Sequence, residues 1–260
     1  MNSSRYSKLA LVALLLAVVA AGPAAAVSVS GDAVPSEAEV GSTVDVTYTL
    51  EELYTNYDQW SLAGETELEA VTWTVTTYDV GETQIAREEY TGQSFSHGIA
   101  KSDDVAEVTV RVQGTVPEQS NWSYDPAQKM LLASFTEAQN GGSQTTLQES
   151  ELRPYTADSQ AARTAIEDAN SAISDAEDAG VNADDAQSLL DNAVSAYNAG
   201  NFGNAQDLAA NAQDEAAAAQ QSSERTSTLL IIGGVVLVLA VLAGLVYWYL
   251  QNRETYDKLG

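Results

Sequence analysis

The chain holds a single histidine, His97, in the stretch TGQSFSHG that begins at Thr91, close behind Ser94 and Ser96. A serine nucleophile needs such a base to take its proton and a third group to orient the base. The run from Gly92 to Ser96 lacks the final glycine of a nucleophile elbow, and its pattern is that of a strand or hairpin, not of a strand-to-helix turn. Asp103, Asp104 and Glu107 offer carboxylates to a hard cation such as Ca²⁺, but they match neither EF-hand nor nonapeptide spacing, so a solvated turn is expected. Carboxylate pairs for glycoside cleavage can be drawn on any acidic chain, and sequence supplies no distances between them. There is no glycine-rich phosphate cradle, and with no cysteine, thiol catalysis, Cys-ligated zinc and Cys lipidation are excluded. The expectation is therefore no catalytic residue, cofactor or metal, and a chain that is not an enzyme. One modification signal remains, the N-glycosylation triplet Asn121-Trp122-Ser123, with Asn121 as acceptor.

The charge balance narrows the partners. Acids outnumber bases 37 to 11, a net charge of −26. Contact with a phosphate backbone would add repulsion instead of releasing counterions, so no nucleic-acid partner is expected. The acids are spread along the chain, and Lys101 and Lys129 are the only lysines outside the terminal segments. This resembles the proteins of extremely halophilic archaea, in which molar salt shortens the Debye length to about 3 Å and tolerates such self-repulsion.

Two apolar runs frame the elements that would have to position any site. Arg5 and Lys8 precede the run from Leu9 to Ala21, Gly22-Pro23 breaks it, and Ala24-Ala25-Ala26 follows, the layout of a secretory signal cleaved after Ala26. Leu229 to Leu250 carries no charge, and at 1.5 Å per residue it matches a hydrocarbon core of about 30 Å. Tyr247, Trp248 and Tyr249 stand at its end as interfacial rings, and Arg253 follows as the inside anchor. A single-pass protein of the cell membrane is expected, with residues 223–228 as juxtamembrane linker, 229–250 as span and 251–260 as a short cytoplasmic tail. Ala240 and Gly244 form a small-xxx-small step through which two spans would pack as a homodimer.

Between the runs lie two kinds of pattern. From 27 to 153 apolar residues alternate with polar ones: Val44, Val46, Tyr48 and Leu50; Val71, Trp73 and Val75; Val108, Val110 and Val112. Half-buried strands parted by Gly, Pro and Asp turns predict an antiparallel β-sandwich. The segment from Pro35 to Leu50, PSEAEVGSTVDVTYTL, resembles the first strands of immunoglobulin-like (Ig-like) domains in archaeal and bacterial surface proteins, and that resemblance makes Trp73 the candidate core tryptophan. The stretches Tyr54 to Glu67 and Gln119 to Pro126, rich in Tyr, Trp and Asn, read as loops whose rings cover a sandwich edge.

From 156 to 222 the composition turns to Ala, Asp, Gln and Asn. Ala165, Ala169, Ala172, Ala176 and Ala179 repeat at heptad spacing, Gly180 ends that helix, and Asp184 or Asp185 is placed to cap the next. Ala186 to Ala212 resembles the helix-turn-helix of a single tetratricopeptide-like unit, with Gly200-Asn201-Phe202-Gly203 as its turn. One copy cannot bury a repeat core, so an Ala-rich hairpin or three-helix stalk is expected rather than a peptide-binding solenoid.

The expected fold class is thus a β + α multidomain membrane protein with a sandwich, a helical stalk and one C-terminal transmembrane helix. The implied role is non-enzymatic: a haloarchaeal-type surface protein that presents its sandwich to an envelope protein, a glycan or the S-layer. The alternative is an accessory subunit of a membrane transport or sensory complex.

Overall fold

A computed structural model of the chain describes residues 27–139 and 142–222. These fall into two compact units, one comprising 27–120 and 127–156, the other 121–126 with the helices from Ala157 onward. Among the described residues no helix is long and apolar enough to cross a membrane. The expected signal, span, linker and tail, with Ala26, Ala240, Gly244, Tyr247, Trp248, Tyr249 and Arg253, lie outside the described residues.

Unit 1 consists of two five-stranded sheets. The first runs β1 (Ser28–Asp32), β3 (Thr43–Glu51), β8 (Glu107–Thr115), β5 (Glu69–Tyr78) and β6 (Gln84–Thr91). The second runs β2 (Glu37–Glu39), β10 (Gln144–Tyr155), β9 (Met130–Ala138), β4 (Gln59–Glu65) and β7 (Ser94–Ala100). All pairings are antiparallel except β2 on β10, which is parallel and so corrects the wholly antiparallel expectation. A parallel pair cannot close through a hairpin, and here the two strands lie at opposite ends of the unit's chain.

The three alternating runs read from sequence become β3, β5 and β8, and each of their ten apolar residues is buried. They meet the second sheet across one core, with Tyr48 edge-on to Phe135 at 4.9 Å and Trp73 against Phe95 at 4.9 Å. Trp73 is fully buried and its indole N–H donates to the Gly92 carbonyl at 3.0 Å. The stretch from Tyr54 to Glu67 is not one loop, because Gln59–Glu65 forms β4. Trp60 and Leu62 supply its buried face, and Gly64 supplies room for the Phe95 ring directly opposite.

In unit 2, α1 (Ala157–Asp178) and α2 (Asp184–Asn198) are followed by α3 over 202–222. The buried seam of α1 is Ala162, Ile166, Ala169, Ile173 and Ala176. The expected alanine seam is thus rotated: Ala169 and Ala176 belong to it, Ala165 and Ala172 only flank it, and Ala179 is exposed. The isoleucines decide the rotation, since burying one removes far more apolar area from water than burying alanine does.

Both helix ends close in the same way. Gly180 (φ 75°) donates to the Glu177 carbonyl while Val181 donates to Ala176; Gly200 (φ 73°) donates to Tyr197 while Asn201 donates to Ala196. These are Schellman closures, which need the left-handed conformation that glycine adopts at little cost. Capping of α2 falls to neither Asp184 nor Asp185. The N-cap position is Ala183, with no side-chain capping bond; just before it Asn182 Oδ1 accepts the Asp184 N–H at 3.0 Å in an Asx turn, while the two aspartates occupy the first turn.

Candidate functional site

Three loops of unit 1 converge at one end of the strands. Residues 52–58 join β3 to β4, 79–83 turn the β5–β6 hairpin, and 101–106, which include a 3-10 turn at Lys101–Asp103, join β7 to β8. Ser120, Ala127 and Thr156, where the chain leaves or re-enters unit 1, belong to the opposite end of the strands.

Each loop is held by specific bonds. The Trp60 indole N–H donates to the Leu53 carbonyl at 2.8 Å, and the Tyr54 hydroxyl donates to the Ala100 carbonyl at 3.0 Å, which ties the first loop to β7. Asp79 Oδ1 accepts the N–H groups of Gly81 and Thr83 at 2.8 and 2.9 Å, an Asx-type closure that thrusts Val80 out until it is 90% exposed. The Ala106 N–H donates to the Tyr78 carbonyl, and Lys101 pairs with Asp58 at 3.2 Å.

Between these loops lies a cavity of about 450 Å³, within the range of ligand sites, lined by Tyr54, Asp79, Val80, Lys101, Val105 and their neighbours. Its wall is mainly apolar, and Asp79 and Asp104 are among the residues that line it. Burial, with the nearby charges of Asp103 and Asp104, holds the Tyr54 phenol above its ordinary pKa.

Below the same loops sits a residue that sequence reading did not single out. Glu137 on β9 points inward and is 1% exposed. Its Oε2 accepts the Asn56 side-chain N–H at 3.0 Å, and its Oε1 has no hydrogen-bond partner among the described residues. A carboxylate at an inward position of the alternating strand was the available signal. It was masked because the buried face of β9 changes phase between Leu132 and Phe135, where β10 carries irregularities in register.

The sequence candidates fall elsewhere. His97 lies on the inward face of β7, whereas Ser94 and Ser96 project from the outer face, so strand alternation keeps the serines from the imidazole. His97 Nδ1 instead meets the Tyr90 hydroxyl at 2.9 Å, and that hydroxyl also lies 2.6 Å from Glu88 Oε2. Burial, reinforced by the bond to Glu88 and its charge, pushes the Tyr90 phenol up to about 12. Asp103 and Asp104 are exposed, and among the described residues no group of three or more His, Asp or Glu side chains is arranged to hold a metal ion.

Asn121 is exposed at the start of 121–126, but the rings beside it do not cover a sandwich edge as expected. Trp122 packs edge-on against Phe202 at 5.0 Å, and Tyr124 against Tyr197 at 5.7 Å, both within unit 2. Arg163 on α1 donates to the Tyr124 carbonyl at 2.6 Å with its guanidinium 4.4 Å from the Tyr124 ring, and the Tyr124 N–H donates to Asn198 Oδ1 at 2.8 Å. The arginine satisfies a loop carbonyl and an aromatic face together, which fixes the segment to the helices.

No family model matches the chain, and no curated protein is similar to it. Among solved structures it is similar to the sporulation control protein Spo0M of Bacillus subtilis, at 14% identity and TM-score 0.30 over 55% of each chain. A DUF4466 family protein of Parabacteroides merdae gives 15% identity and TM-score 0.30 over 49% of this chain and 44% of that one. A cohesin module from a Clostridium perfringens family 33 glycoside hydrolase gives 14% identity and TM-score 0.23, over 50% of this chain and 97% of the module. The chain spans about half the length of the first two, and likeness at this level carries no argument about function.

Proposed function

We propose that the chain is a non-enzymatic, membrane-anchored surface protein of haloarchaeal type, whose unit 1 binds an envelope protein or glycan through its loop end. The carrying observation is the 450 Å³ cavity between three bonded loops, beside a valine 90% exposed at a hairpin tip. Loops held by a rigid scaffold are where binding residues concentrate, and a mainly apolar cavity with a few polar groups is the usual form of a ligand site.

The sandwich is read as Ig-like. The orders β1-β3-β8-β5 and β10-β9-β4 parallel the A-B-E-D and G-F-C orders of that fold, and β7 takes the place beside strand C. The departure is that β5 and β6 precede β7 along the chain, and Trp60 rather than Trp73 stands on the strand-C equivalent. The run from Leu229 to Leu250 supplies the anchor, the run ending at Ala26 the export signal, and Asn121 a glycosylation acceptor.

The test is a photo-cross-linking residue at Val80 in living cells, with one at the exposed Gln113 on β8 as reference. The proposal expects a specific adduct from position 80 that Tyr54→Ala weakens. Equal capture from both positions, or none from position 80, overturns it.

A further inference from the structure

Four strands end the two sheets, and natural sheets blunt such edges because each presents unpaired N–H and C=O groups. β2 and β1 are short, with three and five residues, and β6 carries Arg87, Glu88 and Glu89 with a register irregularity against β5. β7 is blunted by none of these means: SFSHGIA has no charged residue, no proline and, over seven consecutive pairs with β4, no bulge. The Lys101 N–H donates to the Asp58 carbonyl and the Thr66 N–H to that of Gln93, so the odd-numbered residues of β7 are the hydrogen-bonded partners of β4. Ser94, Ser96 and Gly98 therefore turn their N–H and C=O groups to the free side, where β7 pairs with no strand among the described residues.

Carboxylates flank this bare edge on both faces. On the inner side Glu88 reaches His97 from the opposite sheet: its Oε2 lies 3.5 Å from His97 Nδ1, and its side chain is 54% exposed. Glu88 accepts the Tyr90 hydroxyl at 2.6 Å, and the neighbouring Arg87 pairs with Glu89 instead, so among the described residues no lysine or arginine pairs with Glu88. On the outer side, Glu65 of β4 is exposed and stands directly opposite Ser94. Lys101, just past the end of β7, is already paired with Asp58 at 3.2 Å. A strand laid along β7 turns the residue beside His97 to the inner face, because side chains alternate and neighbours across a sheet share a face. A long basic side chain at that place meets the Glu88 carboxylate, whereas an acidic one is repelled by it. Residues two places to either side then continue the inner face beyond Phe95 and Ile99, both buried.

We propose that β7 is a docking edge for an extended basic segment of a partner protein. The segment adds a sixth strand to the second sheet and sets a lysine or arginine beside His97, paired with Glu88, with apolar residues beside Phe95 and Ile99. Main-chain bonds to Ser94, Ser96 and Gly98 supply affinity, and the alternate side chains supply specificity. Charge selects the occupant. The chain carries a net charge of −26, and a second copy laid on β7 would bring its own Glu88 up to this one. In molar salt the Debye length is about 3 Å, so selection falls on the contact at this one register position and not on overall charge. The docking goes beyond the presenting role and does not depend on what the loop end binds.

The full chain, purified in mild detergent and molar salt, is panned against a phage-displayed library of random nine-residue peptides. Enriched peptides should carry a lysine or arginine with an apolar residue two places to each side, and the most enriched one, labelled with fluorescein, is measured by anisotropy. Glu88→Gln should weaken that peptide about fivefold and, in a repeated selection, remove the preference for a basic residue at the central place. Gly98→Pro removes an outward donor that β4 does not use, and should weaken the peptide at least about tenfold while the far-ultraviolet circular dichroism stays unchanged. Ser96→Lys, which sets a charge on the edge and leaves the backbone donors in place, tests it separately if the proline variant fails to fold. No enrichment, or an enriched set without the basic centre, overturns the proposal. So does a peptide that binds both edge variants as well as the parent, or a basic preference that survives Glu88→Gln.

Discussion

Gly64→Ala should destabilise unit 1 although it replaces a glycine within a strand. A methyl group there would lie 2.1 Å from Phe95 Cε1 and 2.8 Å from Cδ1, where carbon atoms prefer about 3.5 to 4.0 Å. The ring must retreat by more than about 1 Å, yet Trp73 stands 4.9 Å from its centroid and Tyr90 stacks on it at 5.4 Å. Overpacking of this kind costs about 1 to 3 kcal/mol. With the ring gone, alanine should stabilise the strand by about 0.4 to 1 kcal/mol, because it restricts the unfolded chain. The sign of the effect therefore reports the contact. Urea unfolding followed by the fluorescence of buried Trp60 and Trp73 measures it in a cycle of Gly64→Ala, Phe95→Ala and the double variant. Phe95→Ala alone should cost about 3 to 5 kcal/mol, and Gly64→Ala should be harmful only while Phe95 is present. Gly64→Ala that stabilises the parent, or acts equally in both backgrounds, refutes the packing argument.

Three further outcomes follow from the same geometry. Absorbance titration should find a phenol that ionises near pH 12, and Glu88→Gln should move it part of the way back toward the ordinary value by replacing a charged acceptor with a neutral amide oxygen while burial remains. Because the folded state holds that proton more tightly than the unfolded state, its stabilising effect is complete below about pH 10 and is lost as pH rises toward 12. Arg163→Ala should free the 121–126 segment, costing about 1.5 to 3 kcal/mol and speeding hydrogen exchange at the Tyr124 amide, which donates to Asn198. Asn121→Gln should abolish a glycan mass shift on the native chain, and an unmodified native peptide would contradict the acceptor role.

Much of unit 1 was legible because one face of a strand must be buried: Val44 to Leu50 and Val108 to Val112 state their faces by alternation alone. β4 hid because its inward residues are Trp60, Leu62 and Gly64, and a glycine that makes room for a ring looks like a loop signal until the ring is known. β9 hid behind its phase change, and with it Glu137. The helices were legible in number and in their glycine closures. The rotation of α1 was not, since alanines on several faces leave the choice to two isoleucines. The loop-end cavity could not be foreseen, because residues 54, 79 and 105 converge only through strand order. Nor could the docking of Trp122 and Tyr124 on the helical unit, which depends on Arg163 and Asn198, some 40 and 74 residues onward.

The account rests on unit 1 standing outside the cell, and its freedom from cysteine allows a direct test. A single thiol introduced as Val80→Cys should react with a membrane-impermeant maleimide on intact cells, while one introduced as Gly260→Cys should react only after permeabilisation. Labelling of position 80 that requires permeabilisation, or of position 260 that does not, would contradict the account.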